Sequence, residues 1–330
     1  MNMRIKYIDY TRALCMLWIV GFWHLGGVSD FQYSNKVTLL FTKGILATFV
    51  YLSGHLSAGK RIYSSGDLRR FYLRRFLKIY PLYFISVTIF YIWHLFNSDL
   101  WYITSLRQYI MSILGIACVF PPAPGTVWFI DMMFLFWGIT PIIIVRNNYF
   151  SKLFFSVFIY IGFLLLVFAG GDDRLLLYLP AYVTGLLLTE CKKDKDKKWN
   201  QRIWLIGVSI GFVLLCVIYT KAVSKVGIYF AELFGSGTVI FIMIMIGKGI
   251  EKISNSWFSK LLIWMSYISM SAYLFHSQIY EFLSNILGRF SLTEAYLVAL
   301  PITLIVSWII QTVYDKVFFC FDRRNHIAGN

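Results

Sequence analysis

Uncharged apolar runs long enough to cross a bilayer recur along the whole of this chain, and nothing else limits its fold so severely. Leu205 to Tyr219 is one run without a single charge. A hydrocarbon core of roughly 30 Å needs about 20 helical residues at about 1.5 Å each. Lipid offers backbone amides no partner, so such runs must be helices or the strands of a closed barrel. A barrel would show segments of about 10 residues with alternating polarity, and these solid runs reject it. Composition agrees, because only 14% of the 330 residues are charged and 58% are hydrophobic, whereas soluble domains carry about a quarter charged. The fold class is all-α, a polytopic integral membrane protein forming one transmembrane domain over residues 1–330.

Spans are expected near residues 8–28, 37–57, 79–97, 127–145, 152–169, 175–190, 203–219, 228–247, 261–283 and 294–318, giving about ten helices. Gln108 to Phe120 is too short to span and runs into Pro121, Pro122, Pro124 and Gly125, which suits a re-entrant or interfacial segment over 108–120. Basic residues test the parity of this count. Lys60, Arg61, Arg69, Arg70, Arg74, Arg75 and Lys78 fall in one loop, Lys192 to Arg202 in another, and Lys248, Lys252 and Lys260 around a third. All three lie on the same side as Arg4, Lys6, Arg323 and Arg324, while the intervening loops hold one or two basic residues each. The positive-inside rule then places both termini in the cytoplasm of a multi-pass cell inner or plasma membrane protein.

The net charge of +15 is spent in these loops, with no soluble basic domain for nucleic acid to bind. Five scattered cysteines form neither a disulfide framework nor a zinc site. The first apolar run, with Trp23 and His24 and no small-residue cleavage site, is expected to be a retained helix. Gly54 to Arg61 nearly spells a phosphate-binding loop, but Arg61 stands where Ser or Thr would hold magnesium and no strand precedes it.

Ionisable residues inside a membrane are costly and mark candidate sites. Arg12 near the cytoplasmic end of the first span either snorkels to headgroups or serves chemistry, and His24 toward its outer end is either a buried, hydrogen-bonded imidazole or a catalytic one. Arg75 and Lys78, three residues apart, share a helix face beside Arg74. They either hold the phosphates of a nucleotide-like cofactor or only fix topology. Asp131, one turn into the fourth span, either orients a histidine or faces interfacial water. His276 reads as a packed interior histidine.

Several of these residues sit in motifs that occur in order along nearly the whole chain. Ile8-Asp9-Tyr10-Thr11-Arg12-Ala13-Leu14 runs into His24, Leu52-Ser53-Gly54 follows, and then come Arg75-x-x-Lys78-Ile79-Tyr80-Pro81, Trp128-Phe129-Ile130 with Pro141, and Ser271-Ala272-Tyr273-Leu274-Phe275-His276. Together they resemble the acyltransferase 3 family of membrane O-acyltransferases. The resemblance implies transfer of an acyl group, usually acetyl, from cytoplasmic acyl-coenzyme A to a carbohydrate hydroxyl. The acceptor would be a polysaccharide, a glycolipid or a lipid-linked sugar. His24 then matches the catalytic histidine, Arg12 its paired arginine, and Arg75 and Lys78 the family's R-x-x-R element, with acetyl-CoA as donor substrate and no metal. A hydrolase-like domain of the kind some members append is not expected. The chemistry is coherent, since an imidazole with a pKa of about 6.5 suits removal of a sugar hydroxyl proton and a thioester is already activated. The main alternative is a transporter or flippase for the same glycan, which would use an aromatic interior and buried histidines equally well.

One departure from the family pattern has a structural consequence. Eleven residues separate Arg12 from His24 where the family has ten, and Lys78 offers a point charge where the family has a forked arginine. Twelve steps of about 100° leave His24 about 120° off the Arg12 face of a regular helix. A π-turn near Gly21 would absorb the extra residue, seen as an i to i+5 hydrogen bond within the stretch from residue 15 to residue 24. The topology itself is testable with an impermeant thiol reagent on intact cells. Cysteines placed at 98–106 or 120–126 should label, and those at 61–74 or 191–201, Cys191 included, should not. Labelling of 191–201 from outside would overturn the arrangement.

Overall fold

The computed structural model describes residues 5–30, 34–59, 62–96, 103, 105–146, 148–188, 211, 215–221, 224–253 and 255–327, with side chains through 317. The described residues form helices and no strand, with one isolated backbone bridge between Ser29 and Phe290. In chain order the helices are α1 (Lys6–Trp18), α2 (Lys36–Ala58), α3 (Ser65–Phe96), α4 (Leu106–Ile113), α5 (Trp128–Ile144), α6 (Tyr149–Phe168), α7 (Arg174–Leu188), α8 (Lys225–Ile253), α9 (Ser256–Leu287) and α10 (Leu300–Ile327). A π-helical segment, Ile19–His24, continues α1, and a second, Ala295–Ala299, leads into α10.

Five of the described helical stretches are long and apolar enough to cross a membrane: α2, α3, α6, α8 and Leu292–Val317. This is fewer than the sequence count, for identifiable reasons. The first expected span is divided between α1 and its π segment, α5 and α7 are apolar but only 17 and 15 residues long, and α9 carries buried Ser266, Ser269, Ser271, His276 and Ser277. The expected span at 203–219 and the loop at 191–201 lie largely or wholly outside the described residues. The segment near 108–120 is a short helix of 8 residues followed by turns, too short to span. It buries Gln108 and Ser112 and exposes Leu106, Ile110 and Leu114, the amphipathic pattern of an interfacial element.

Local signals start the helices where the chain needs them. Asn35 caps α2 by accepting from the amides of Val37 and Thr38, while Thr38 returns a bond to the Asn35 amide, a reciprocal capping box. Packing then arranges them: α2 lies between α7 and α8, α1 lies against α8 and α9, and α9 continues the contact to α3 and α10. Lipid tails are as apolar as leucine, so helices associate in a membrane through close packing and hydrogen bonds rather than through the hydrophobic effect. Small residues make that approach possible between α2 and α7. A Cβ on Gly54 would fall 2.2 Å from the Tyr182 carbonyl oxygen, and one on Gly185 would fall 2.2 Å from that of Tyr51. The Gly54 of the Leu52-Ser53-Gly54 motif is thus a contact point between two backbones.

Prolines inside α3, α5 and α7 each break a helical hydrogen bond, because the ring has no N–H for the carbonyl four residues back. At Pro81 and Pro180 a tyrosine hydroxyl from a neighbouring helix takes up the loosened carbonyl, and at Pro141 one takes up the carbonyl next to it. Tyr314 of α10 donates to Leu77, four residues before Pro81. Tyr229 of α8 donates to Leu176, four before Pro180, at 3.2 Å, and Tyr72 of α3 donates to Gly138, three before Pro141, at 2.8 Å. Each proline-interrupted helix is thereby tied to a second helix.

The α2–α7 contact yields a stability prediction. Gly185→Val should lower the thermal midpoint in detergent by the equivalent of about 1–3 kcal/mol, the usual cost of overpacking. Gly162→Ala, at a position with nothing within 4 Å of the new Cβ, should stay near wild type. Wild-type stability of Gly185→Val would show that the two backbones do not approach so closely.

Candidate active site

The irregularity expected in the first span is present. Helix α1 gives way at Ile19 to six residues of π-helix ending at His24, with Gly21 buried inside it. A π turn widens the helix by one residue and releases a carbonyl from the regular ladder. Tyr280 of α9 donates to the Val20 carbonyl at 3.0 Å, filling that need. Gly21 leaves room for Leu300, whose Cδ2 would stand 3.2 Å from a Cβ there. Val20, Tyr280, Ala295 and Ala299 share one apolar cluster, so the two π segments pack in the same region.

The bulge changes what α1 presents to its neighbour. Helices α1 and α9 run parallel, since Tyr10 meets Ser259, Asp9 accepts from Ser266 at 2.9 Å, and Arg12 Nη2 donates to Ser269 Oγ at 3.4 Å. Further along, His24 Nδ1 lies 2.7 Å from His276 Nε2, with the ring planes 20° from parallel. Ser269 and His276 are seven residues apart, about 20° short of two full helical turns, so they share a face of α9. Arg12 and His24 therefore both face α9, the alignment that a regular α1 would have lost.

The two imidazoles differ in setting. His24 is half-buried, whereas His276 is fully buried and holds its Nδ1 2.7 Å from the Tyr273 carbonyl and 3.1 Å from that of Ala272. Ser277 Oγ lies 3.1 Å from His276 Nε2. His276 is thus more than packing: it is the ring that touches His24. Two residues 252 positions apart carry no sequence signal of contact, which is why the pairing could not be read beforehand.

Asp131 is neither at an interface nor beside a histidine, so both sequence readings of it give way. Its side chain is fully buried, with Oδ1 bonded to the Tyr83 hydroxyl and Oδ2 without a hydrogen-bond partner among the described residues. Tyr83 also lies 2.6 Å from the Ser112 carbonyl, joining α3, α4 and α5. The reason is register. Asp131 follows Trp128 by three residues, and the face of α5 that carries it packs against α3 rather than α1.

The cations come together near the opposite end of α1. Arg75 Nη2 donates to Ser57 Oγ at 2.6 Å, and its guanidinium lies 3.7 Å over the Phe71 ring. Lys78 is exposed and stands within electrostatic reach of Arg12 and Arg75, with Asp315 and Asp9 as nearby counter-charges. Asp315 already accepts from Tyr267 at 2.6 Å and Gln311 at 3.0 Å. Arg74 is exposed beside them. One face of the α1–α9 pair thus holds a cationic group at one end and an imidazole pair at the other.

Apolar helices with ionisable groups buried between them define a membrane protein with candidate sites in its interior. A family model described as an acyltransferase domain matches residues 5–312, and the chain belongs to the acyltransferase 3 family of membrane acyltransferases. No curated protein and no solved structure matches the chain. The motif residues Arg12, Gly54, Arg75, Trp128 and His276 all lie within the matched region.

The Tyr280 hydroxyl gives the site its own stability test. Tyr280→Phe leaves the buried Val20 carbonyl without its donor and should destabilise the protein by about 1–3 kcal/mol. A thermal midpoint in detergent equal to wild type would mean that the π segment needs no such support.

Proposed function

We propose that the protein is a membrane O-acyltransferase that transfers an acyl group, acetyl in the first instance, from acyl-coenzyme A on the cytoplasmic side to a hydroxyl of a carbohydrate. The acceptor is a polysaccharide, glycolipid or lipid-linked glycan. The observation that carries this reading is the contact of His24 with His276 on the same face of α9 that Arg12 reaches. Like charges gathered in an apolar setting repel one another, and a polyanion arriving there is strongly stabilised. Arg12, Arg75 and Lys78 suit the phosphates of coenzyme A, with arginine as the fork and lysine as a point charge.

In this mechanism His24 takes the proton of the sugar hydroxyl as its oxygen attacks the thioester carbonyl. The carbon–sulfur bond breaks, and coenzyme A leaves as the thiol, with the proton returned by His24. The new bond is a carbon–oxygen ester bond, and no acyl-enzyme is needed. A general base of this kind contributes typically 10²–10⁴-fold in rate. With the basic loops in the cytoplasm, the donor enters from that side and the acceptor meets His24 from the other. The family assignment leaves the transporter alternative without a supporting observation.

Purified protein in nanodiscs, given acetyl-CoA and membrane glycan from its own cells, tests the proposal. His24→Ala should insert normally and lose at least about 100-fold in transfer. Arg75→Gln and Lys78→Gln should each weaken acetyl-CoA binding, and Lys78→Arg should preserve or improve it. Full transfer by His24→Ala would eliminate the base assignment, and unchanged donor affinity in both Gln variants would return those cations to topology.

A further inference from the structure

We propose that His276 is a positioning residue that fixes the tautomer of His24, so that the proton-accepting lone pair of His24 lies on Nε2. This rests on the reading of His24 as the general base.

His276 Nδ1 faces two carbonyl oxygens, those of Tyr273 and Ala272. Carbonyls only accept, so Nδ1 carries the hydrogen. A neutral imidazole has one N–H, which leaves Nε2 of His276 as an acceptor. The shorter hydrogen-bond contact of that nitrogen is with His24 Nδ1 at 2.7 Å, and Ser277 Oγ is farther off at 3.1 Å. Since Nε2 has one in-plane lone pair, the shorter contact holds it, and His24 must donate from Nδ1. His24 Nε2 is then the nitrogen without a hydrogen.

The ordering starts from main-chain atoms of a helix, not from a titratable partner. Oxygens of residues 272 and 273 are rigidly placed by α9, and His276 is fully buried among them. The Tyr273 ring centroid is 5.9 Å from that of His276, and the Tyr280 ring is also 5.9 Å away, edge-on, so aromatic walls restrict the ring. Ser86 of α3 donates to the Leu274 carbonyl at 2.6 Å, anchoring the same turn of α9 from a third helix. On proton transfer from the acceptor, His24 becomes an imidazolium whose Nδ1–H still points at the His276 lone pair. The second imidazole therefore stabilises the transferred charge without itself taking a proton.

Two substitutions separate hydrogen bonding from packing. Gln at 276 can offer Oε1 near the position of Nε2, and Leu fills the space with no acceptor. The rate to be followed is thiol release from acetyl-CoA, the probe that needs no identified acceptor. His276→Leu should lower kcat by about 100-fold, with KM for acetyl-CoA within about twofold of wild type, and His276→Gln should recover to within about tenfold of wild type. A wild-type kcat in His276→Leu, or an equal loss in both variants, would overturn the role. The wild-type protein supplies a test that does not depend on a variant keeping its activity. Histidine-selective 15N spectra, assigned by the signal missing in His24→Gln, should show His24 protonated at Nδ1, and protonation at Nε2 would overturn the proposal. The two readings fail separately. An active His24→Ala removes the base and this role with it, whereas an inactive His24→Ala beside a fully active His276→Leu removes only the role of His276.

Discussion

A backbone carbonyl released inside a membrane must find a donor within the protein, and that requirement organises this fold. Each unmet polar group in hydrocarbon costs several kcal/mol. The chain nevertheless releases carbonyls repeatedly, at Pro81, Pro141 and Pro180 and through the π turn after α1. Tyrosine hydroxyls supply donors at Leu77, Leu176 and Val20, and beside the Pro141 break at Gly138, always from another helix. Tyrosine suits the task because its ring belongs in an apolar interior and only its tip needs a polar partner. Irregular points of one helix thus become fixed joints with the next, where weak apolar association alone would leave them free to slide.

The site is built on the same device. A π turn puts His24 on the face that carries Arg12, and Tyr280 holds that turn from α9. One turn earlier on α9, His276 meets His24. The arrangement needs no carboxylate beside the histidine. Where a buried acid would add a full charge to the membrane interior, a neutral imidazole anchored on two helical carbonyls gives direction to a hydrogen bond at lower desolvation cost.

Features governed by local spacing were legible in the sequence, and those governed by tertiary contact were not. The bulge could be foreseen because one residue too many between Arg12 and His24 has few remedies in a helix, and Gly21 marks the place with least steric cost. The face shared by Arg75 and Lys78 follows from helical geometry alone. The partner of Asp131 is not legible because depth along α5 says nothing of direction, and direction decides between Tyr83 and a histidine. His276 reads as packing in the sequence because its neighbour lies at the far end of the chain. Of the expected spans, α9 misses the length-and-composition mark because it spends part of its apolar character on serines and a histidine that face inward.

The parallel course of α1 and α9 makes the site a measuring device. Three contacts between them run in one order, from Asp9 with Ser266 through Arg12 with Ser269 to His24 with His276, and Tyr280 reaches back to Val20. A slip of one helix past the other by a full turn, about 5.4 Å, would carry every pair out of reach at once. Axial position is thus read in several places simultaneously, like a vernier scale whose marks coincide at one setting only. The cationic end and the imidazole end are ruled on the same scale, so the span between them is a fixed length written into the membrane.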